Sequence, residues 1–479
     1  MIKSYLRKIL VLLKKLLLDK LKLDLYVMAR PDVDSHQLSL KKINNEKDKI
    51  NYIKSIHDEH PDSPSIQLLL AQTLYSQSNS NCFNEFKRYG EIRESYLNKT
   101  GLNYANIDLI WPGMFIGAFG NHYAVEGLIE ASELDMTSGR IPSLLLSDKY
   151  SLTNRVLFSY FKEKLNIIDD QFLVKRLLPI QTALTLPLGY CLPLKNSCPF
   201  LDFAANIIYT EKINKNKNKS IFKLKDIDRK KGENVLREMG IPVDAWYVTA
   251  HIRQQEWDGG SNAENWRNAD PETYLKSFKY ITDNGGYVFR MGDPSMSKLP
   301  DMPRVIDYAH HEIKSEFMDI FLAATCKFCL GTSSGYFRVP RYFGVPVILT
   351  NSTNTLAYYS LRKNDLYLPR LIKSVKNNQY LSFKEQLEPP HSMHQTEVSR
   401  RLADEGLVWE ENHEDDLYEA TKEMVENVFG FGPGKEQVRP FQDRYKSLAE
   451  QASINYSNDI LKGYSAPPEK YLIKYSELF

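Results

Sequence analysis

The sequence CKFCLGTSSGYFRVPRYFGVPVILT, residues 326–350, predicts a strand, a tight turn, a short helix and a second strand. The apolar run at 328–330 ends at a turn made of Gly331, Thr332, Ser333, Ser334 and Gly335. Backbone N–H groups and hydroxyls at the start of a helix attract anions. Ligands of open α/β sheets bind beyond the carboxyl ends of the strands, where this turn would lie. The stretch therefore predicts an anion site; the alternative is a serine-rich loop between two core elements.

Strands and helices alternate before this turn, which predicts a parallel sheet. We expect strands at 246–253, 286–291, 305–308 and 345–349, and helices at 271–283 and 312–325. Polar or glycine residues end the first three of these strands: His251, Arg253, Arg290, Gly292, Asp293 and Asp307. Since parallel strands share one carboxyl edge, these residues and the turn should converge there. Two guanidinium groups suit a diphosphate, although either arginine alone also fits a structural salt bridge.

Three further features of residues 246–350 indicate a ligand site at the carboxyl edge of this sheet. Arg338 and Arg341, one turn into the next helix, could add positive charge. The loop at 254–270 is long for a compact lobe, and such loops usually have a function. Asp307 and Glu316 are our candidates for contacts to a ribose or base. Asp319 could also hold ribose hydroxyls, and both Glu316 and Asp319 equally fit dipole partners of their own helix.

A similar alternation begins at residue 106 and predicts a second parallel sheet. Strands are expected at 107–111, 141–146 and 165–168, helices at 122–134 and 153–163, and a glycine-rich turn at 112–121. His122 begins a helix directly after that turn, so it is a candidate base for deprotonating a hydroxyl. A histidine that only caps the turn is the alternative. Glu126, one turn later, could orient His122 or be the base itself.

The two ends of the chain differ from these alternating regions. Met1–Asp24 has seven Lys or Arg and two Asp, with the charges on one helical face and Leu or Ile on the other. This pattern predicts a helix on an anionic membrane surface, with packing on the protein's own surface as the alternative. Residues 35–100 predict a helical cap resembling one tetratricopeptide pair. Helices are expected at 395–404 and 414–429, and a solvated loop at 211–231.

Composition limits the classes of partner and compartment. The chain has 479 residues, enough for two or three domains, with 42% hydrophobic and 25% charged residues and a net charge of +2. Nucleic acid is therefore not an expected partner. Five scattered cysteines favour a reducing compartment. Cys326 and Cys329 form a CxxC without a second pair, so we interpret both as buried core residues.

Several motifs in combination resemble a family of bacterial glycosyltransferases associated with surface-polysaccharide and lipopolysaccharide gene clusters. They are Asn265-Trp-Arg-Asn-Ala-Asp-Pro, Arg290-Met-Gly-Asp-Pro-Ser-Met, Asp307-Tyr-Ala, Lys314-Ser-Glu-Phe-Met-Asp-Ile-Phe-Leu and Gly331-Thr-Ser-Ser-Gly. More distantly, this half is similar to heptosyltransferase-like enzymes of the GT-B fold. The resemblance implies a nucleotide-sugar donor in the C-terminal lobe, an acceptor facing the N-terminal lobe, and no obligatory metal. The triplets at 32–34 and 226–228 match the DxD metal motif of the other glycosyltransferase fold, but neither ends a core strand.

These observations predict an α/β protein of GT-B type with five regions. They are a membrane-surface helix at 1–30, a helical cap at 31–104, an acceptor lobe at 105–235, a nucleotide-sugar lobe at 236–380 and a helical extension at 381–479. The expected function is sugar transfer from a nucleotide sugar, used as co-substrate without a further cofactor, to a lipid-linked or polysaccharide acceptor. Pyruvyl transfer and a non-catalytic scaffold are the alternatives. We expect a cytoplasmic protein, peripheral on the inner face of the membrane.

Overall fold

A computed structural model describes residues 33–116, 119–146, 151–177, 184–195, 197–242, 244–254, 266–393, 395–430, 439–456 and 461–479. The predicted helix within Met1–Asp24, most of the loop at 254–270 and part of the turn at 112–121 lie outside these residues. The chain divides into two compact units. The first lies within Met1–Gly117, Ala124–Thr153 and Phe161–Ala204, and the second within Ala118–Tyr123, Asn154–Tyr160 and Ala205–Phe479.

The described part of the first unit begins with four helices, in agreement with the helical region predicted at 35–100. They are α1 (Val33–Lys42), α2 (Glu46–Glu59), α3 (Pro64–Ser76) and α4 (Cys82–Thr100). The Ser63 hydroxyl accepts a hydrogen bond from the Ile66 N–H, and Pro64 occupies the first turn, so α3 begins where the sequence signals a start. Gly101, with φ of +73°, ends α4 in the left-handed conformation.

A three-stranded parallel sheet forms the rest of the first unit. Its strands are β1 (Ile107–Ile110), β2 (Ile141–Leu145) and β3 (Asn166–Ile168), in the order β1-β2-β3. The helices between and after these strands in the chain are α5 (Gly113–Ile116), α6 (His122–Glu133), α7 (Arg155–Phe161) and α8 (Gln171–Leu177). Residues 122–123 of α6 and 155–160 of α7 group with the second unit. A short helix, α5, therefore occupies part of the predicted glycine-rich turn.

A buried ion network ties the helical region of this unit to its sheet. The Asp108 carboxylate on β1 accepts hydrogen bonds from Arg93 at 2.8 Å and from Arg140 at 3.0 Å. Arg140 also contacts Glu94 at 3.0 Å. Arg93 and Asp108 are almost completely buried. Because an isolated buried charge is costly, this network fixes α4 against β1.

The second unit is built on a six-stranded parallel sheet in the order β6-β5-β4-β7-β8-β9. Its strands are β4 (Tyr247–His251), β5 (Tyr287–Met291), β6 (Val305–Ile306), β7 (Cys329–Thr332), β8 (Val347–Ser352) and β9 (Leu366–Pro369). The helices before and within it are α9 (Leu201–Asn214), α10 (Asp226–Glu238), α11 (Leu275–Asp283), α12 (Glu316–Thr325) and α13 (Arg338–Tyr342). Cys326 and Cys329 are buried, as predicted for core residues.

The C-terminal part of the second unit contains further helices and an antiparallel ribbon. These elements are β10 (Leu371–Ser374), α14 (Phe383–Leu387), α15 (Gln395–Asp404), β11 (Leu407–Glu410), α16 (Glu414–Phe429), α17 (Pro440–Ser453) and α18 (Glu469–Lys474). Helices α15 and α16 have the predicted bounds. The ribbon of β10 and β11 was not predicted.

One predicted loop is too long at both ends. Residues 211–231 were expected to be a solvated loop, but α9 extends to Asn214 and α10 begins at Asp226. Helix α10 is highly charged, and only Gly232 and Leu236 are buried on it. Its apolar stripe is therefore too narrow to predict a helix from the sequence. Residues 205–235 group with the second unit, although we placed them in the first lobe.

The α/β class with two separate parallel-sheet units is confirmed. Among the residues that the structure describes, no helix is long and apolar enough to cross a membrane.

Candidate functional site

The predicted turn follows β7, at the carboxyl edge of the second unit's sheet. Strand β7 pairs with β4, so that His251 lies beside Gly331. The Thr332 hydroxyl accepts a hydrogen bond from the Arg253 backbone N–H at 3.0 Å and lies 3.4 Å from the His251 carbonyl, to which it donates. Thr332 therefore joins the ends of two neighbouring strands, and its hydroxyl has a structural use.

The Ser334 hydroxyl, unlike that of Thr332, has no structural hydrogen bond among the described residues. The Ser334 side chain is buried with 8% exposure. A buried hydroxyl without a partner is costly, which is why such groups commonly meet a ligand or water. Next to it, the Ser333 carbonyl accepts hydrogen bonds from Arg267 Nε at 3.1 Å and Nη2 at 2.8 Å. The Arg267 guanidinium, which belongs to the motif that begins at Asn265, is thus adjacent to the turn.

Arg253 is held by the segment that follows the undescribed part of this loop. Its Nη1 donates to Asn268 Oδ1 at 2.6 Å, and its carbonyl accepts from the Ala269 N–H at 3.0 Å. Two residues that follow β9 and β11 hold this segment in place. Arg370 donates to the Asn268 carbonyl, and the Glu411 carboxylate accepts from the Asp270 N–H at 2.6 Å. Our sequence reasoning missed Asn268, although the motif that contains it was part of the family resemblance.

Arg290 and Asp307 form an ion pair with each other. Arg290 Nη1 lies 3.1 Å from Asp307 Oδ1, and its Nη2 donates to Gln254 Oε1 at 2.8 Å. The Arg290 side chain is fully buried, and burial lowers its pKa. Arg290 is one of the two arginines that we expected at the ligand. It forms a structural salt bridge instead, which was the alternative for either arginine. Gln254 was missed because nothing in its local sequence signals this contact.

Gly292 and Asp293 shape the chain after β5. Gly292 has φ of +154°, and a Cβ at this position would lie 2.4 Å from the Met296 sulfur. The Asp293 carboxylate accepts from the Ser295 N–H at 3.0 Å. Both residues therefore hold a tight turn at the predicted edge, and the local geometry requires glycine at 292.

A second segment meets the turn at Gly335. A Cβ on Gly335 would lie 2.4 Å from the Gly120 backbone N, so the two backbones touch. The Arg338 guanidinium stacks on the Tyr123 ring at 3.7 Å and donates to the Ser360 hydroxyl at 3.0 Å. The segment that contains His122 therefore packs against the predicted anion turn within the second unit.

The helix after the turn differs from our expectation. Helix α13 begins at Arg338, three residues after Gly335, and has only five residues. A helix of this length lends little dipole to an anion. Arg341 is buried, donates to the Ser360 carbonyl at 2.5 Å and lies 3.5 Å from Asp365. Arg338 and Arg341 thus have structural partners, and the polar groups of the turn itself remain the basis of the anion site.

His122 is the first residue of α6 and has only 2% exposure. Burial lowers the pKa of its imidazole to about 4, so the side chain is neutral at pH 7. A base with this pKa is weaker than the range near neutrality that general-base catalysis favours. Glu126, four residues later on the helix, is also buried. Both residues remain our candidate bases.

His251 ends β4 in a positively charged environment. Burial lowers the pKa of its imidazole to about 3, and the Arg290 charge contributes in the same direction. Its ring stacks on Tyr336 at a centroid distance of 5.5 Å. His251 is therefore a neutral side chain whose surroundings disfavour positive charge, although it lies at the predicted phosphate edge.

An open cavity of about 690 Å³ lies near the start of α12. It is lined by Pro294, Ala309, His310, His311, Glu312, Lys314, Ser315, Glu316 and Asp319. Ligand cavities of about this volume are typical of small-molecule sites. Glu316 accepts from the Arg155 N–H at 2.8 Å, and Asp319 accepts from the Tyr308 hydroxyl at 2.8 Å. Burial raises the pKa of Asp319. The Lys314 ammonium lies 3.6 Å from the Asp319 carboxylate, and we had predicted no role for this lysine.

The described residues contain no cluster of three His, Cys, Asp or Glu side chains that could hold a metal ion. The DxD match at 226–228 begins α10, where Asp228 accepts a hydrogen bond from the Tyr160 hydroxyl at 2.5 Å. This triplet does not end a strand, as predicted. The other triplet begins outside the described residues.

Two solved structures show partial similarity to this chain. One is the glycosyl transferase family 9 protein from Veillonella parvula, with 10% identity and a TM-score of 0.33 over 55% of this chain and 85% of that chain. The other is TibC from enterotoxigenic E. coli, an iron-containing dodecameric glycosyltransferase, with 10% identity and a TM-score of 0.29 over 68% of this chain and 76% of that chain. Neither a family model nor a curated protein matched the chain. At these TM-scores neither structure assigns a residue or a substrate to this protein.

Proposed function

We propose that this protein is a glycosyltransferase that binds the diphosphate of a nucleotide sugar at the turn Gly331–Gly335. The observation that carries the proposal is the Ser334 hydroxyl, which is buried without a partner in the described part of the chain. The Arg253 backbone N–H donates to the Thr332 hydroxyl of this turn, and the Arg267 guanidinium donates to the Ser333 carbonyl. Hydroxyl and guanidinium donors together suit anionic phosphate oxygens. The open cavity at the start of α12, in the same unit, is of a size that suits the nucleoside, with Glu316 on its wall.

The reaction we propose forms one bond and breaks another at the anomeric carbon of the donor. An acceptor hydroxyl attacks this carbon, the bond to the diphosphate breaks, and the nucleoside diphosphate leaves with the electron pair. His122 or Glu126 takes the hydroxyl proton. The donors at the turn stabilise the charge that develops on the leaving diphosphate, an electrostatic contribution of the kind that dominates such catalysis. The acceptor that we propose is a lipid-linked or surface polysaccharide.

A screen of nucleotide sugars against a membrane extract tests this function. We expect one nucleotide sugar to be consumed, with release of its nucleoside diphosphate and a matching mass increase in a glycan or lipid product. Consumption of phosphoenolpyruvate instead would favour pyruvyl transfer. If the protein neither binds nor consumes any of these compounds, the scaffold alternative is favoured.

We propose that the protein works in the cytoplasm on the inner face of the membrane through Met1–Leu23. Several basic residues, each contributing about 1 kcal/mol near an anionic surface, make reversible binding possible. Flotation with vesicles that contain anionic lipid tests this: the full chain should float, and a chain without the first 24 residues should stay in the soluble fraction. A truncated chain that floats equally well would contradict the role of this segment.

A further inference from the structure

An exposed tryptophan at the carboxyl edge of the first unit's sheet has no role in the site described above. Trp111 directly follows β1, and 54% of its surface is exposed. Only one other Trp or Phe side chain in the described part of the chain is as exposed, namely Phe172 at 56%. Phe172 lies at the start of α8, which follows β3. Both exposed rings therefore belong to one unit and follow two strands of the same sheet.

The Trp111 ring is held in place by Gly113. A Cβ on Gly113 would lie 2.5–2.6 Å from three atoms of the six-membered ring, so the indole rests directly on this glycine. The Trp111 carbonyl also accepts from the Met114 N–H at 3.0 Å, which fixes its backbone. An exposed ring that packs on a glycine loses little further freedom when a ligand stacks on it.

The two aromatic residues are brought to the same edge by the strand order. Ile110 pairs with Leu144, so Trp111 is level with the end of β2. The Gln171 amide donates to the Leu146 carbonyl at 3.4 Å, which ties the start of α8 to the residue after β2. Neighbouring strands are about 4.8 Å apart, so β1 and β3 are separated by roughly 10 Å. Trp111 and Phe172 thus follow the two strands that flank β2.

Polar groups beside Phe172 complete this surface. Asp169 and Asp170 are exposed between β3 and α8. The Asp170 carboxylate accepts from the Phe172 N–H at 2.9 Å and the Leu173 N–H at 3.1 Å, and therefore caps the helix. A rigid ring face offers apolar contact to the C–H face of a pyranose, while carboxylate oxygens accept hydrogen bonds from sugar hydroxyls.

We propose that Trp111, Asp169 and Phe172 form a sugar-binding surface for a pyranose ring of the acceptor glycan. Trp111 supplies the stacking face, Asp169 accepts from ring hydroxyls, and Phe172 limits the position of the ring. This inference rests on the proposed function, since it assigns the acceptor of the same reaction. It also fits the general tendency of parallel sheets to bind ligands beyond the carboxyl ends of their strands.

Fluorine NMR of the full chain labelled with 5-fluorotryptophan tests the surface directly. The chain has five tryptophans, so the Trp111 resonance is identified as the one lost in Trp111→Phe. The probes are the methyl pyranosides of glucose, galactose, mannose and N-acetylglucosamine at up to 50 mM. We expect at least one to shift the Trp111 resonance with saturation, and Asp169→Asn to weaken that binding about tenfold. The Trp409 resonance should not move.

A nucleoside diphosphate titration of the same sample separates this inference from the proposed function. If the diphosphates bind but no pyranoside shifts Trp111, the sugar surface is wrong and the donor site stands. If a pyranoside shifts Trp111 while no diphosphate binds, the sugar surface stands and the proposed transfer is wrong. A pyranoside that shifts all five tryptophan resonances alike would also contradict the surface, because the effect would not be local.

Discussion

Replacing His251 by glutamine should flatten the dependence of stability on pH. Burial lowers the pKa of His251 to about 3, against 6.5 for the unperturbed side chain. Between these two values the unfolded chain binds a proton that the folded protein does not, so this site makes stability rise with pH. Relative to pH 8, the wild-type protein should lose about 2 kcal/mol at pH 5 through His251 alone. A glutamine does not titrate and should remove that loss.

Urea unfolding at pH 8 and pH 5, followed by circular dichroism, measures the effect in both proteins. The comparison uses the change with pH rather than absolute stability, because glutamine packs differently on Tyr336. His122, whose pKa is also lowered by burial, titrates in both proteins and therefore cancels. If both proteins lose the same free energy between pH 8 and pH 5, His251 is not a buried neutral residue and the packing described for the end of β4 is wrong.

Two further predictions concern contacts within single units. Asp108→Ala leaves Arg93 buried without its carboxylate and should lower the free energy of unfolding by about 3–5 kcal/mol in urea denaturation; a loss below about 1 kcal/mol would contradict the buried network. Gly335→Ala drives a Cβ into the Gly120 backbone and should weaken nucleoside diphosphate binding measured by calorimetry. Gly189→Ala meets open space and is the control, so equal binding by both alanine variants would contradict the contact.

Five of the six strands in the second unit's sheet, all except β9, could be predicted because they are apolar runs bounded by glycine, proline or polar residues. Strand β5 follows Gly285 and Gly286, and its observed range Tyr287–Met291 differs from the predicted one by a single residue. The turn after β7 was equally visible as two glycines around three hydroxyl residues. Patterns of this kind depend only on residues that are neighbours in the chain, so they can be recognised from the sequence alone.

The partners of the site residues could not be predicted, since they depend on contacts between distant segments. The sequence around Arg290 does not indicate whether this side chain contacts Asp307 or a ligand. In the folded chain Arg290 pairs with Asp307. The contact between Gly120 and Gly335 likewise joins segments far apart in the chain. Helix α10 was missed because its buried stripe is only two residues wide. Such features require the tertiary structure.

The most direct test of the donor site is calorimetric titration of UDP, GDP, ADP and CDP into the full chain. We expect one of them to bind, and Arg253→Ala and Ser334→Ala each to weaken that binding by about 1.5–3 kcal/mol, which is roughly 10–150-fold. Arg237→Ala removes an exposed arginine from α10 and should leave binding unchanged. If no nucleoside diphosphate binds, or if the Arg253 and Ser334 variants bind like the wild type, the turn Gly331–Gly335 is not the diphosphate site.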